Sequence, residues 1–354
     1  MIRSADIRHK NQIKAMYERI FSDPKKFTEY YFEERMIPER VLISADNSGK
    51  VISMLSRNAK HLSVGEKLFD ADYIYAVAVD NEYRGQGLSR DMVNKAVELS
   101  AKEGTYFTYL IPVDEKIYKG NGFVTIRNSG EISLRGTGAK EDVRLEELNG
   151  RYYDSKHNII RELVEFSADY NHNILEKNII ATYKDEAYFK VMLNQIDAED
   201  SSIVIIRKSE KIKGYAIING HKERQSDEIR ICDYVVEPDY EFELAERIKI
   251  RYNINNIKFI YNKVMAKVTS PYFLENLNAT EDKVVYIKLE DDNKIYEVNS
   301  LKGKVSISER EENLLSQTIS LNLREITEFV FGMREIEGMP KMECLEGITV
   351  NEEV

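Results

Sequence analysis

The sequence predicts a fold that combines the α/β and α+β classes, with two similar mixed α/β units followed by a smaller α+β unit. Three observations predict it. An apolar strand at 73–79 runs into a glycine-spaced turn and then a helical pattern. A similar order of elements returns and ends in the stretch 229–248, and the pattern changes again after Pro271. Because 354 residues exceed one ordinary core, several domains are expected.

The first unit reads as a compact mixed α/β domain. Apolar residues at Ile13, Met16, Tyr17 and Ile20 have helical spacing and indicate an initial helix. The elements expected after it are a helix at 24–36, hairpin strands at 41–43 and 51–55, the strand, turn and helix between 73 and 104, a strand at 105–113, a short helix at 114–119 and closing strands within 123–134.

The second unit repeats this order. It is expected to hold a helix around 159–164, a helical stretch at 173–194, hairpin strands at 202–207 and 213–219, an apolar stretch at 229–240 and a helix at 242–248. Its stretch 236–240 echoes 79–83, but the glycines that follow the first copy are missing. An internal duplication with a lost turn explains this, and chance similarity of two α/β units is the alternative.

The third unit has strand-like stretches at 284–289 and 318–323 and a helix at 324–331 that ends at Gly332. We place the domain boundaries at 1–140, 141–272 and 273–354.

The turn between strand and helix predicts an anion site. Gly85 and Gly87 allow close backbone approach, and the free N–H groups and dipole of the following helix favour negative charge. An Arg-Gly-x-Gly stretch alone is weak evidence, and a surface turn is its ordinary explanation. Two nucleotide-binding patterns do not fit: the Gly-Lys-Ser/Thr of a P-loop is absent, and Arg90 stands where a dinucleotide fingerprint needs glycine.

Composition narrows the classes of function. The formal charge of −10 argues against a general nucleic-acid binder and is compatible with a cationic partner, although acidity also serves solubility. We find no membrane span and no signal-peptide core, so a cytoplasmic protein is expected. Neither the two cysteines, Cys232 and Cys344, nor the histidines have metal-ligand spacing, so no metal is expected.

At Arg84 to Ser89 the sequence resembles the GNAT superfamily of N-acetyltransferases, whose Gln/Arg-x-x-Gly-x-Gly/Ala motif binds the pyrophosphate of acetyl-coenzyme A (acetyl-CoA). Arg84 and Gly87 match the first two fixed positions, and Ser89 departs from the third. The resemblance implies that acetyl-CoA is the co-substrate. It also implies coenzyme contacts from Val77, Val79, Arg84, Gly85, Gln86, Gly87, Leu88, Ser89 and Arg90.

A narrower resemblance covers nearly the whole chain. Val79–Leu88, Ile111-Pro112, Ile117-Tyr118 and Gly122-Phe123 together are similar to the enhanced-intracellular-survival (Eis-like) acetyltransferases, and Ile319–Gly332 resembles the end of a sterol-carrier domain. This implies an active N-terminal GNAT domain, a degenerate GNAT copy, a sterol-carrier-like α+β domain and a homohexamer.

The same resemblance implies catalytic roles. Tyr118 would protonate the departing coenzyme A thiolate as general acid, and the α-carboxylate of Val354 would be the general base. Asp23 and Glu353 would add negative charge near the amine. On the residues alone, a tyrosine in this tyrosine-rich chain is usually a packing residue and an acidic C-terminal tail is usually frayed. The aromatics of 27–32 could line an amine pocket or form a buried helix face.

Three functions follow. The leading one is acetyl transfer from acetyl-CoA to primary amines by direct attack, with polyamine-like substrates such as aminoglycosides or lysine side chains. The second is a non-catalytic regulatory protein that binds acyl-CoA and a lipid or partner. The third is a lysine acetyltransferase specific for one protein partner.

Overall fold

The structure is a computed structural model, and it describes residues 1–133, 142–152, 156–173, 175, 178–218, 228–311 and 318–350. The α-helices are α1 (Lys10–Ile20), α2 (Lys25–Tyr30), α3 (Leu88–Lys102), α4 (Glu115–Lys119), α5 (His157–Asn173), α6 (Glu186–Ala198), α7 (Glu241–Tyr252) and α8 (Leu323–Val330). A single π-helical turn, Tyr31–Arg35, continues α2.

The strands are β1 (Ile2–Ser4), β2 (Val41–Ala45), β3 (Val51–Val64), β4 (Lys67–Val79), β5 (Phe107–Leu110), β6 (Val124–Arg127), β7 (Gly130–Ser133), β8 (Val143–Leu148), β9 (Ile179–Thr182), β10 (Ser202–Lys208), β11 (Lys211–Ile218), β12 (Glu228–Val236), β13 (Asn256–Tyr261), β14 (Val264–Val268), β15 (Lys283–Leu289), β16 (Ile295–Leu301), β17 (Lys304–Arg310), β18 (Thr318–Leu321) and β19 (Gly347–Thr349).

The first sheet has the strand order β1-β2-β3-β4-β5-β14-β6, and β9 and β19 extend it beyond the far end of β3. Neighbours in the main order are antiparallel except β4 and β5, which are parallel. Helix α3 packs on one face, where Met92, Val93 and Ala96 are fully buried. The aromatic side chains of α1 and α2 form a separate core with the start of β3 and the end of β4.

The second sheet has the order β7-β13-β12-β11-β10-β8, again with one parallel pair, β12 and β13. In both sheets, antiparallel strands are thus followed by one parallel pair of strands. Each is completed by a strand from the other part of the chain. β14, which follows the second unit, lies beside β5, and β7, which follows the first unit, lies beside β13.

The third sheet has the order β17-β16-β15-β18 and packs with α8 against the first sheet. The backbone N–H of Val268 on β14 donates to Thr327 Oγ1 of α8 at 3.0 Å. The Phe107 ring lies 5.1 Å from Phe273 and 6.4 Å from Phe331, so the third unit shares its core with the first sheet. The described residues contain no helix long and apolar enough to cross a membrane.

Several local predictions are confirmed and others are wrong. The hairpins at β2–β3 and β10–β11, the short helix α4, and α8 with its end at Gly332 are present. The stretch 173–194 is not one helix, because β9 interrupts it. The closing strands within 123–134 do not pair with each other, since β6 and β7 join different sheets. Consequently β7, β9, β14 and β19 each join the sheet of a different unit from the one in which the sequence boundaries place them, and the domain division stays a prediction.

Candidate active site

A cleft opens between β4 and β5. On one edge β4 pairs with β3 as far as Val79. On the other edge, β4 pairs in parallel with β5 only as far as Tyr73 and Tyr109. The structure describes every residue of both strands in this region. Residues 74–79 of β4 therefore present an edge that β5 leaves open. Such an edge can accept an extended ligand through main-chain hydrogen bonds.

A β-bulge lies in this open segment. Tyr75 pairs with Ser56 and Ala78 with Met54, so Ala76 and Val77 together oppose Leu55. Ala76 has a φ of 51°, a left-handed conformation that non-glycine residues seldom adopt. Bulges of this kind re-aim the backbone next to functional sites. The bulge is thus a built-in change of backbone direction inside the cleft.

The predicted anion turn is present at the end of β4. Gly85 and Gly87 have φ values of 78° and 80°, and Gly87 is the N-cap residue of α3. A Cβ at Gly85 would meet no atom within 4 Å, so the backbone conformation, rather than space, requires glycine there. Arg84 and Arg90 are exposed beside the turn. Arg84 Nε donates to the Val79 carbonyl at 3.2 Å.

The second unit lacks this turn. In the first unit, residues 84–87 separate the 3-10 turn Asn81–Tyr83 from α3. In the second unit, α7 begins directly after the 3-10 turn Pro238–Tyr240. The missing glycines therefore correspond to a deleted loop, and of these two described strand–helix junctions only that of the first unit has the glycine turn.

Tyr118 lies on α4, which Asp114 caps by accepting a hydrogen bond from the backbone N–H of Lys116 at 2.9 Å. Its side chain is buried in the same cluster as Met92, with Val77 of the cleft packed against that cluster. Burial raises the pKa of Tyr118 to about 12. Among the described residues its hydroxyl has no hydrogen-bond partner, so it is available to a ligand.

Two residues that the sequence reasoning missed hold the loop after Tyr118. Asn121 Nδ2 donates to the Arg90 carbonyl at 2.9 Å and to Asn94 Oδ1 at 2.6 Å. Lys267 Nζ on β14 donates to the Asn121 carbonyl at 2.8 Å. These bonds connect the Tyr118 loop to the first turns of α3. Lys267 comes from a strand far along the chain, so no local sequence pattern predicts its contact with this loop.

Asp23 is connected to the bulge through two tyrosine hydroxyls. The Tyr17 hydroxyl donates to Asp23 Oδ2 at 2.5 Å and also bonds the hydroxyl of Tyr75, the residue that precedes Ala76. Burial raises the pKa of both Tyr17 and Tyr75, so both stay protonated. Asp23 itself is exposed, and among the described residues it has no ion-pair partner. It is an oriented carboxylate that a cation can reach.

The aromatic side chains of 27–32 do not line an open pocket. Phe27, Tyr30, Tyr31 and Phe32 are all buried in the core below α1. The alternative of a buried helix face is therefore the correct one. In the described part of the chain no group of three or more His, Cys, Asp or Glu side chains is arranged to hold a metal ion.

Glu353 and Val354 lie outside the described residues. The chain just before them returns to the first sheet, where β19 pairs in parallel with β9. Arg127 of β6 donates through Nη1 to the Ile348 carbonyl at 2.9 Å and through Nη2 to the Val350 carbonyl at 2.5 Å. In the sheet register Arg127 faces Val264, beyond the level of Leu110 at the end of β5. Arg127 thus holds Val350 beside the end of β6 in the first sheet.

Comparisons with known proteins agree with this geometry. Residues 1–126 match the family model described as an acetyltransferase (GNAT) domain. No curated protein sequence matches the chain.

Among solved structures, a probable N-acyltransferase of Enterococcus faecalis V583 has a TM-score of 0.72 at 14% identity, covering 95% of this chain and 90% of its own. The GCN5-related N-acetyltransferase of Anabaena variabilis has a TM-score of 0.72 at 15% identity, covering 94% and 89%. Eis1 from Mycobacterium abscessus has a TM-score of 0.60 at 12% identity, covering 92% and 87%. At these identities the likeness is one of fold. The chain therefore carries a GNAT acetyltransferase domain at residues 1–126, within a fold that it shares along most of its length with these three proteins.

Proposed function

We propose that the protein is an N-acetyltransferase that moves the acetyl group of acetyl-CoA to a primary amine by direct attack. One observation carries the proposal: the bulged, open edge of β4 leads directly into a glycine turn at the start of α3. An extended arm fits the open edge, and a pyrophosphate fits the turn. The second unit, which lacks the turn, has no equivalent role in this reaction.

In this proposal the backbone of Val77 and Val79 pairs with the pantetheine arm. The pyrophosphate lies on the turn and first helical residues, Arg84, Gly85, Gln86, Gly87, Leu88, Ser89 and Arg90. Backbone N–H groups and two exposed guanidinium groups supply the positive potential there. Ser89 is a small residue in place of the usual glycine or alanine, so backbone contacts to phosphate remain open to it.

The reaction balances without a further co-reactant. The neutral amine nitrogen attacks the thioester carbon and forms the C–N bond, while negative charge develops on the carbonyl oxygen. Backbone N–H groups at the bulge would stabilise that oxyanion. The C–S bond then breaks, the sulfur takes its electron pair, and the former amine proton goes to a base. Most of the acceleration would come from holding the amine against the thioester.

Tyr118 is the proposed general acid. Its pKa of about 12 lies above the ~8.5 of an ordinary thiol, so it keeps its proton until charge develops on the sulfur. Its hydroxyl then donates to the thiolate. Because that hydroxyl has no partner among the described residues, donation to sulfur breaks no existing hydrogen bond.

The α-carboxylate of Val354 is the proposed general base, with Glu353 adding negative charge. A free α-carboxyl has a pKa of ~3.5, too low to deprotonate an ammonium, but the nitrogen becomes far more acidic after attack on the thioester. The hydrogen bonds of Arg127 to the Ile348 and Val350 carbonyls support this role, because they hold the residues before the C-terminus against the sheet that carries the glycine turn. The remaining residues 351–354 can span at most ~14 Å.

Asp23 is the proposed amine-binding residue. Its exposed carboxylate lies near the bulge and lacks an ion-pair partner among the described residues. A substrate with several amines, such as an aminoglycoside, or a lysine side chain fits this charge. The division into an active GNAT domain, a degenerate copy and a sterol-carrier-like domain, and the homohexamer, belong to the same proposal and rest on the resemblance. The cytoplasmic location belongs to it as well and rests on the sequence.

The test measures thiol release from acetyl-CoA with a panel of aminoglycosides and lysine peptides. We expect amine-dependent release, and the absence of release across the panel would refute the proposal. Coenzyme affinity without turnover would favour the regulatory, non-catalytic alternative. Turnover confined to one protein-derived peptide would favour the protein-specific lysine acetyltransferase.

A further inference from the structure

A second cavity lies away from the cleft, between the outer face of α3 and the third unit. Its volume is about 660 Å³, and its walls include Val97 and Ala101 of α3, Tyr106 before β5, and Tyr272 and Tyr296 beside the third sheet. Small-molecule sites typically have volumes of roughly 300 to 1,000 Å³. No step of the proposed acetyl transfer uses this cavity.

Lys267 brings a buried positive charge to the wall of this cavity. Its residue is only 8% exposed, and its ammonium donates to the Asn121 carbonyl at 2.8 Å. Among the described residues it has no carboxylate within ion-pair distance. Burial of an unpaired ammonium is unfavourable, because the charge loses its hydration without gaining a counter-ion. Accordingly, burial lowers the pKa of Lys267. An anionic ligand group would relieve this penalty.

Asp291 supplies the opposite charge on the same cavity. Its Oδ2 accepts a hydrogen bond from the Leu323 backbone N–H at 2.7 Å, and in the described part of the chain it forms no ion pair. Its charge acts on Lys267, yet the two groups are not within bonding distance of each other. Among the other charged residues of the wall, Lys102 bonds Glu98 at 2.6 Å and Lys294 bonds Glu309 at 2.7 Å, while Asp292 accepts a hydrogen bond from the Tyr296 hydroxyl at 2.6 Å. The cavity wall therefore carries Lys267, Asp291 and Asp292 without a counter-ion in the described part of the chain, and of the two carboxylates it is Asp291 whose charge acts on Lys267.

Three tyrosine rings form the apolar part of the wall. The rings of Tyr106 and Tyr272 are stacked at 5.3 Å, and Tyr296 meets Tyr272 edge-on at 5.9 Å. Tyrosine faces accept apolar or aromatic groups and also attract an ammonium group. The cavity thus contains a group that can bind an anion, a group that can bind a cation, and an apolar surface.

We propose that this cavity binds a small zwitterion, an α-amino acid with an apolar or aromatic side chain. Its carboxylate pairs with Lys267, its ammonium with Asp291, and its side chain lies against the tyrosine rings.

A ligand bound in the cavity would affect the proposed acetyltransferase site through a series of hydrogen bonds. Lys267 holds the Asn121 carbonyl, and Asn121 bonds both the Arg90 carbonyl in the first turn of α3 and Asn94, which itself lines the cavity. A ligand that redirects the ammonium changes the support of the Tyr118 loop. Because coupling between two sites is reciprocal, coenzyme A would change amino-acid affinity by the same factor.

The test uses calorimetric binding to the full chain without acetyl-CoA, so its outcome does not depend on the proposed reaction. The ligands are L-phenylalanine, phenethylamine, which lacks the carboxylate, and 3-phenylpropionate, which lacks the amine. We expect L-phenylalanine to bind at least about tenfold tighter than either analogue, the effect of roughly one well-placed charge contact. No binding of L-phenylalanine at millimolar concentration would overturn the proposal.

Variants locate the site. Lys267→Met is expected to remove the preference for L-phenylalanine over phenethylamine, and Lys341→Met, at an exposed lysine of the third unit, is expected to keep it. Ala101→Phe fills the cavity but leaves Lys267 in place, so it tests the site even if Lys267→Met does not fold. Unchanged binding in Ala101→Phe would overturn the proposed location.

Discussion

Replacement of Gly85 by alanine tests whether the glycine turn is a coenzyme site. Gly85 has a φ of 78°, and a Cβ there would meet no atom within 4 Å, so the penalty is purely conformational. An alanine in the left-handed region is strained by about 1–2 kcal/mol relative to glycine. Gly104, at the other end of α3, has a φ of 82° and the same open surroundings. Gly104→Ala is therefore a matched control.

The strain divides between stability and affinity. If the turn keeps its conformation in the free protein, the whole 1–2 kcal/mol, as estimated above, appears as lost stability. If the free turn relaxes, binding must restore the strained form, and coenzyme affinity falls by up to about 5- to 30-fold. For Gly85→Ala we expect the stability loss and the affinity loss to sum to the strain. For Gly104→Ala only stability should change.

Unfolding midpoints in urea give the stability change, and calorimetric titration with coenzyme A gives the affinity change. The reasoning would be refuted if both variants lost coenzyme affinity equally, because Gly104 does not lie at the proposed pyrophosphate site. It would also be refuted if Gly85→Ala lost neither stability nor affinity, since the left-handed turn would then not be required.

Four further predictions follow from the same site. Tyr118→Phe should lower kcat on the order of 100-fold with little change in coenzyme affinity. Because folded Tyr118 keeps its proton up to about pH 12, the parent protein should lose more stability than the variant as pH rises between 10 and 12. Asp23→Asn should raise KM for a polyamine about tenfold and leave KM for acetyl-CoA unchanged, whereas equal changes would exclude an amine site. Arg127→Met should lower kcat and increase amide exchange at β19, because hydrogen bonds of a half-buried cation to two carbonyls are lost; unchanged exchange would contradict the anchoring role. A fragment ending at residue 140 lacks β14 and should be insoluble or bind coenzyme A far more weakly than the full chain, and wild-type affinity would contradict the structural requirement for that strand.

The sequence predicted the parts of the fold that depend on neighbouring residues. The turn with Gly85 and Gly87, the start of α4 at Asp114 and the end of α8 at Gly332 are local, and each has a residue type that its backbone conformation requires. The missing turn in the second unit was visible for the same reason, because absent glycines mark an absent loop.

Contacts between residues that are distant in the sequence could not be predicted in this way. Strand β9 is a short apolar segment within a stretch that also suits a helix, and it becomes a strand because the far end of β3 offers it a partner. The bonds of Lys267 to the Asn121 carbonyl and of Arg127 to the Val350 carbonyl join residues more than a hundred positions apart. No spacing rule links such pairs, so the supports of Tyr118 and of the C-terminal segment emerged only from the structure.

The exchanged strands are the reason we expect the matched residues 1–126 to depend on the rest of the chain. In the first sheet β14 lies between β5 and β6, so it closes the sheet beside the cleft and brings Lys267 to the Tyr118 loop. It also carries Val268, whose N–H bonds Thr327 of α8. One strand therefore supports the proposed catalytic loop on one side and the third unit on the other. We therefore propose that a change in the third unit reaches Tyr118 through β14, and that a ligand at Lys267 would regulate the proposed reaction by this path.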